Sequence, residues 1–193
     1  MEWTIPTQNL DVSKVRISSV TKSYKPMASL SYIDGELVFP SLSILLPHLM
    51  VKSYDVESGK LVLSLSGLTT LSNKITALQT LMLQTTYANY RSWFSGEKER
   101  TYDELTSLFQ PLITHGAIHL YCPLSTTPPY NDIHVFSGGG WTNNTPPSTL
   151  FKVGNQIRVA VRLQGISFHQ HPVTKMWTGK SRVQHRILAI YAD

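Results

Sequence analysis

The stretch NQIRVAVRLQGISFHQHPVTKMWTGKSRVQHRILAIYAD, residues Asn155 to Asp193, decides how the rest of the chain is read. Side chains on a strand alternate between its two faces. Ile157, Val159, Val161 and Leu163 therefore share one face, and Arg158, Ala160, Arg162 and Gln164 the other, with Gly165 at a position suited to a bulge. In the second run Lys180, Arg182, Gln184 and Arg186 alternate with Ser181, Val183, His185 and Ile187, after which Leu188, Ala189, Ile190 and Tyr191 are apolar on both faces. Paired as a hairpin, the two runs set five cations and two glutamines on one side and an apolar sheet face on the other. Like charges across a sheet repel one another unless an anion lies between them. The basic half of the hairpin is thus read as facing an anionic ligand, and the apolar half as running under the core. The alternative is an exposed face carrying arginine for solubility. The lack of neighbouring acids favours the ligand.

Charge distribution supports this. The net charge is +5. From Lys152 onward seven basic residues stand against one acid, Asp193, a balance of +6, whereas residues 1–151 hold ten basic and eleven acidic side chains, a balance of −1. Such asymmetry points to a polyanionic partner. A chain of 193 residues suits one domain, 1–193, with an ordinary core. Its 41% hydrophobic and 15% charged residues exclude a disordered chain. No apolar run nears the roughly 18 residues of a membrane span, since Leu42–Val51 is interrupted by Pro47 and His48. The N-terminus lacks a basic segment followed by an apolar one, so no secretory signal is read. On that ground the glycosylation pattern at Asn143–Thr145 is given no weight. Cys122 is the single cysteine, which excludes a disulfide framework and a cysteine-built zinc site. An intracellular protein is expected, nuclear if its source is eukaryotic or a virus of the host nucleus.

Ahead of the basic runs, residues 14–25 read as a strand. Asp34-Gly35 between alternating apolar runs is a hairpin signal, and a second strand pair turns at Glu57-Ser58-Gly59, giving an antiparallel meander. The period then changes. Ile75, Leu78, Leu81, Met82, Tyr87 and Tyr90 recur three and four apart, predicting a helix over 70–94 that starts at a cap on Ser72 or Asn73. Thr101 with Glu104 has the spacing of a capping box and predicts a second, short helix. These two form a helical insertion over about 70–110, and Ala117–Leu124 returns to strand. Residues 125–149 are rich in proline and glycine and predict a surface excursion with one short strand at Ile133–Phe136. The fold class is mainly β with a helical insertion, α+β.

Unpaired nucleic acid needs cations for its phosphates and flat side chains for its bases, and each stacked base contributes about 1–3 kcal/mol without regard to sequence. The candidate binding residues are Arg158, Arg162, Lys175, Trp177, Lys180, Arg182, Arg186 and Trp141. Trp177 lies in a polar turn between Lys175 and Lys180 and is read as presented to the ligand, the alternative being burial under the hairpin. Other signals are set aside. His169, His171 and His185 lack a carboxylate or cysteine to complete a metal site. His119 and Cys122 point to opposite faces of a strand, and the acids around Arg100 suit a helix start. The segment SGGGW (Ser137–Trp141) has neither the lysine nor the following helix of a phosphate loop. No catalytic residue, metal or cofactor is expected.

A basic first strand, the Tyr32-Ile-Asp-Gly35 hairpin leading to VFPSLSILLP, a helical middle containing SWF (Ser92–Phe94) and a terminal WTGKSRVQHRILAI together resemble the OB-fold single-stranded-DNA-binding proteins of phages and large DNA viruses. The pattern covers about two thirds of the chain, and residues 125–149 have no counterpart in it. The resemblance implies a five-stranded, partly open antiparallel barrel binding single strands in a basic aromatic groove. The partner expected is single-stranded DNA, with RNA and self-association both open. A β-rich structural or coat-like protein is the other class considered. Coat proteins usually carry their charge on a disordered arm, whereas here it lies within alternating strands.

Overall fold

The computed structural model describes residues 3–21, 23–123, 125, 133–142 and 145–192. Strand accounts for 44% and helix for 23%, in keeping with a mainly-β α+β chain. The first part holds β1 (Ile5–Pro6), β2 (Val15–Ile17), β3 (Met27–Asp34), β4 (Leu37–Phe39), β5 (Leu42–Leu45), β6 (Leu49–Asp55) and β7 (Lys60–Ser64). Helices α1 (Thr69–Trp93) and α2 (Tyr102–Leu108) follow, then β8 (Phe109–Gln110), β9 (Ile113–Thr114), β10 (Ala117–Tyr121), β11 (His134–Ser137), β12 (Gly140–Thr142) and one turn of helix, α3 (Pro147–Leu150). Two long strands, β13 (Gln156–Gln170) and β14 (Trp177–Ala192), close the chain.

Local turn chemistry is borne out. Asp34 pairs with Leu37 across the Gly35 turn, and Asp55 with Lys60 across the turn at Ser58-Gly59. The Thr101 side chain accepts from the Glu104 amide and caps α2, which ends at Leu108 ahead of Pro111. The start of α1 differs from expectation. It begins at Thr69, with Leu68 at the cap and no side-chain bond there, so neither Ser72 nor Asn73 caps it. Its buried stripe runs Leu71, Ile75, Leu78, Met82, Leu83 and Tyr90, with Leu81 half-buried and Tyr87 exposed. Gln79 is buried too, its Oε1 accepting from the amides of Leu112 and Ile113 at 2.6 and 3.0 Å. That pair of bonds ties α1 to the chain beyond Pro111.

The expected meander is not what organises the sheet. β13 is the spine. One edge pairs antiparallel with β14, and the other is shared in succession by β6, β5 and β3. Side-chain period cannot reveal this, because it reports which face is buried and not which distant strand lies alongside. The approach of β3 fixes one residue. Gly165 faces Ser29 at φ +150°, and a Cβ there would lie 2.0 Å from the Ala28 carbonyl oxygen, so only glycine fits. The main path of pairing runs β12-β11-β14-β13-β6-β7-β10-β9 and is open. β11 and β8 join β14 in parallel, as β1 joins β5. An antiparallel barrel is thus not closed among the described strands. The inward face of the hairpin (Ile157, Val159, Val161, Leu163, Ile166 and Phe168 with Val183, Ile187 and Ile190) packs into the core with β5, β7 and α1. Each such side chain contributes about 1.5–3 kcal/mol by leaving water.

Candidate nucleic-acid interface

The two long strands pair with three register shifts, and the two bulges away from the tip decide which side chains reach the outer face of the hairpin. β13 carries an extra residue at Gln164, between the pairs Leu163–His185 and Gly165–Gln184. β14 carries one at Leu188, between Ile187–Val161 and Ala189–Ala160. Without the first, simple alternation would turn Ile166 and Phe168 outward. With it they stay buried, and Ser167 and His169 come to the outer face instead. The second likewise keeps Ile190 inward and brings Tyr191 out. Down the outer face the opposed pairs are Arg158–Tyr191, Ala160–Ala189, Arg162–Arg186, Gly165–Gln184 and Ser167–Arg182. All five predicted cations of the hairpin lie on this face, Lys180, Arg182 and Arg186 exposed and Arg158 and Arg162 half-buried.

Arg162 and Arg186 stand directly opposite each other. Among the described residues no carboxylate lies within ion-pair distance of Lys180, Arg182 or Arg186. Arg182 Nε donates to Ser167 Oγ at 3.3 Å, and Arg158 Nε reaches the Leu46 carbonyl at 3.5 Å.

Clefts open along this face, and two of them mark its ends. One, of about 810 Å³, lies at the hairpin tip and is bordered by Lys175, Lys180 and Arg182, together with Tyr24 and Lys25 from the loop before β3. The other, of about 630 Å³, lies at the hairpin base and brings Arg162 and Arg186 together with Trp141, Tyr191 and His134. Trp141 reaches it because the strand expected at Ile133–Phe136 exists as β11, which joins β14 and turns back into β12. Tyr130, an aromatic of the same excursion, lies outside the described residues, as does Asn143 of the glycosylation pattern. Arg158 borders neither cleft.

Trp177 is the correction. It is 3% exposed, not presented. Its Nε1 donates to the Lys180 carbonyl at 2.9 Å, its ring stacks on Phe94 (4.7 Å between centroids, 24° between planes), and the Arg100 guanidinium lies 5.2 Å over it. The sequence held the signal. An odd number of steps separates Trp177 from Lys180 and Arg182, so the alternation that turns those two outward turns the tryptophan in. Gly179 (φ +89°) makes the fit possible, since a Cβ there would sit 2.5 Å from Arg100 Nη1. Of the acids around Arg100, Asp103 and Glu104 stand in the first turn of α2 as expected, and two of the group have a further task. Glu97 and Glu104 bond its guanidinium at 3.1 and 2.9 Å, and Glu97 is as deeply buried as the arginine. Arg100 Nε has no hydrogen-bond partner, alone among the buried side-chain polar atoms described.

Tyr24, Lys25 and Tyr191 were not found from sequence. Tyr24 and Lys25 lie outside the hairpin, and only the pairing of β3 with β13 brings them to the tip.

Three titratable groups away from this face are shifted by burial: Cys122, His185 and His119. Burial pushes the Cys122 thiol up to about 12, which makes it a poor nucleophile. Burial also holds His185 below the ordinary histidine value, and its Nε2 accepts from the Tyr121 amide at 2.8 Å. His119 is lowered by the same cause and bonds Thr114 Oγ1 at 2.7 Å. Among the described residues no group of three or more His, Cys, Asp or Glu is placed to hold a metal ion, and no helix is long and apolar enough to cross a membrane.

Comparison with family models, curated proteins and solved structures found no match to this chain.

Proposed function

We propose that this protein is a non-enzymatic, sequence-tolerant binder of single-stranded nucleic acid, DNA in the first instance, serving replication, recombination or repair inside the cell. The observation that carries the reading is the outer face of β14. Lys180, Arg182 and Arg186 project from it with no described carboxylate in reach, and Arg186 faces Arg162 across the pair. Exposed cations held in such a row are placed to neutralise the phosphates of a polyanion lying along it. The reading rests on this face and not on closure of an OB-like barrel, which belongs to the proposal along with the viral resemblance.

The test is a titration with poly-dT, poly-rU and duplex at several salt concentrations. Single strands bind in preference to duplex, and log affinity falls with log salt at a slope of about −3.5 if five phosphates are neutralised. Reversing Lys180, Arg182 and Arg186 to Glu removes binding and leaves stability within about 0.5 kcal/mol, as exposed positions allow. Undiminished affinity in that variant sinks the reading.

One observation favours self-assembly as a second reading. Among the described strands β4 pairs with β3 alone, and Leu37 and Val38 on it are 63% and 65% exposed, the kind of apolar strand edge that invites another copy. Light scattering at rising concentration without nucleic acid separates the two readings, because growth into large particles belongs to the second alone.

A further inference from the structure

Removing Trp177 from the surface leaves the question of what flat side chains the basic face presents. Two positions supply them, one at each end of the hairpin. At the tip, Tyr24 is 82% exposed, and the Lys175 ammonium lies 5.5 Å over its ring. A cation on one side leaves the other side of the ring to solvent. Lys175 also carries a backbone oddity, since it adopts φ +60° without being glycine. That conformation is costly for a residue with a Cβ, and such positions tend to gather at functional sites. At the base, Trp141 is 53% exposed and meets Tyr191 and Phe136 edge-on, at 5.6 and 5.4 Å between centroids. Each aromatic borders its own cleft, of about 810 and 630 Å³, within the size range of ligand sites. Between them run Lys180, Arg182 and Arg186.

We infer that Tyr24 with Lys175 and Trp141 with Tyr191 are two base-stacking stations, and that one single strand lying along β14 engages both. The inference rests on the function proposed above and adds a length rule to it. Lys180 to Tyr191 spans eleven residue steps, one of them taken up by the bulge at Leu188, or about 33 Å at ~3.3 Å per residue. A stacked strand rises ~3.4 Å per nucleotide, so about ten stacked nucleotides join the stations, and fewer where the strand is stretched. Shorter strands occupy one station at a time. Longer ones hold both, and the second contact becomes intramolecular.

The experiment is calorimetry with oligo-dT of about 4 and about 15 nucleotides, lengths within the range of known single-strand sites. The short probe binds two per protein. The long one binds one per protein, at least about 100-fold tighter. Tyr24→Ala and Trp141→Ala each leave one short probe bound and weaken the long one about 5- to 150-fold. Tyr24→Leu and Trp141→Leu keep apolar bulk and show the same losses, which excludes local unfolding as the cause. Lys175→Gly melts no lower than the parent, because it relieves the backbone, yet binds the long probe more weakly. If the parent binds the long probe and all these variants match it within twofold, the two-station arrangement is wrong while the basic face keeps its function. If the parent binds no probe at all, the function itself falls.

Discussion

Arg100 and Arg182 sit on opposite sides of one strand and are treated in opposite ways. On the inner side, under the hairpin tip, Arg100 is closed in by Trp177 and bonded by Glu97 and Glu104. On the outer side Arg182 donates to a serine hydroxyl, and among the described residues no carboxylate lies in ion-pair reach of Lys180, Arg182 or Arg186. The protein has acids to spend on cations, and uses them where burial demands it. A charge out of water costs several kcal/mol unless paired, whereas an exposed cation is solvated and waits at little cost. The inner side is therefore scaffold and the outer side is the face proposed to bind, although both are basic and aromatic in sequence.

The sharpest way to break this contrast is Trp177→Ala. As scaffold, the ring takes with it contacts to Phe94, Phe168 and Tyr90, and chemical denaturation will show a loss of about 3–5 kcal/mol. Affinity for oligo-dT per folded molecule stays at the parent value. A normal melting curve with weakened binding would put the tryptophan back in the interface. Next comes Arg100→Met, which leaves buried Glu97 without its cation and costs about 3 kcal/mol. Adding Glu97→Gln to that variant restores much of the loss, and no restoration would show that the ion pair is not what holds the tip. The smallest effect is that of pH. His119 and His185 are both held below the ordinary histidine value, first of all by burial. The unfolded chain therefore takes up protons that the folded one resists. Their contribution is complete above the unfolded value of ~6.5 and is lost as pH falls below it. Urea midpoints compared at about pH 7.5 and pH 5.5 check the sign, and a higher midpoint in acid would contradict it.

What the sequence made legible was local. Asp34-Gly35, Ser58-Gly59 and the Thr101 cap each act within a few residues, and each was read correctly from the residues alone. The two long closing strands were legible because alternation over many residues leaves little choice of face. What stayed hidden depended on distance. The extra residues at Gln164 and Leu188 shift the parity of everything after them. The neighbours of Trp177 come from the α1–α2 connection, some eighty positions earlier. Lys175, Lys180, Arg182, Arg162, Arg186 and Trp141 were placed at clefts by the fold, whereas Tyr24 entered the site through the pairing of β3 alone.

The shared edge of β13 has a consequence for how the chain is made. β3, β5 and β6 leave the ribosome more than a hundred residues before the strand that receives them. Until then three open edges must be carried by a growing chain, and contacts so far apart in sequence form slowly. The strand that completes the sheet is thus made long after the three it receives, so the nascent protein depends on protection from neighbours during the interval and acquires its basic face only once β13 and β14 have both emerged.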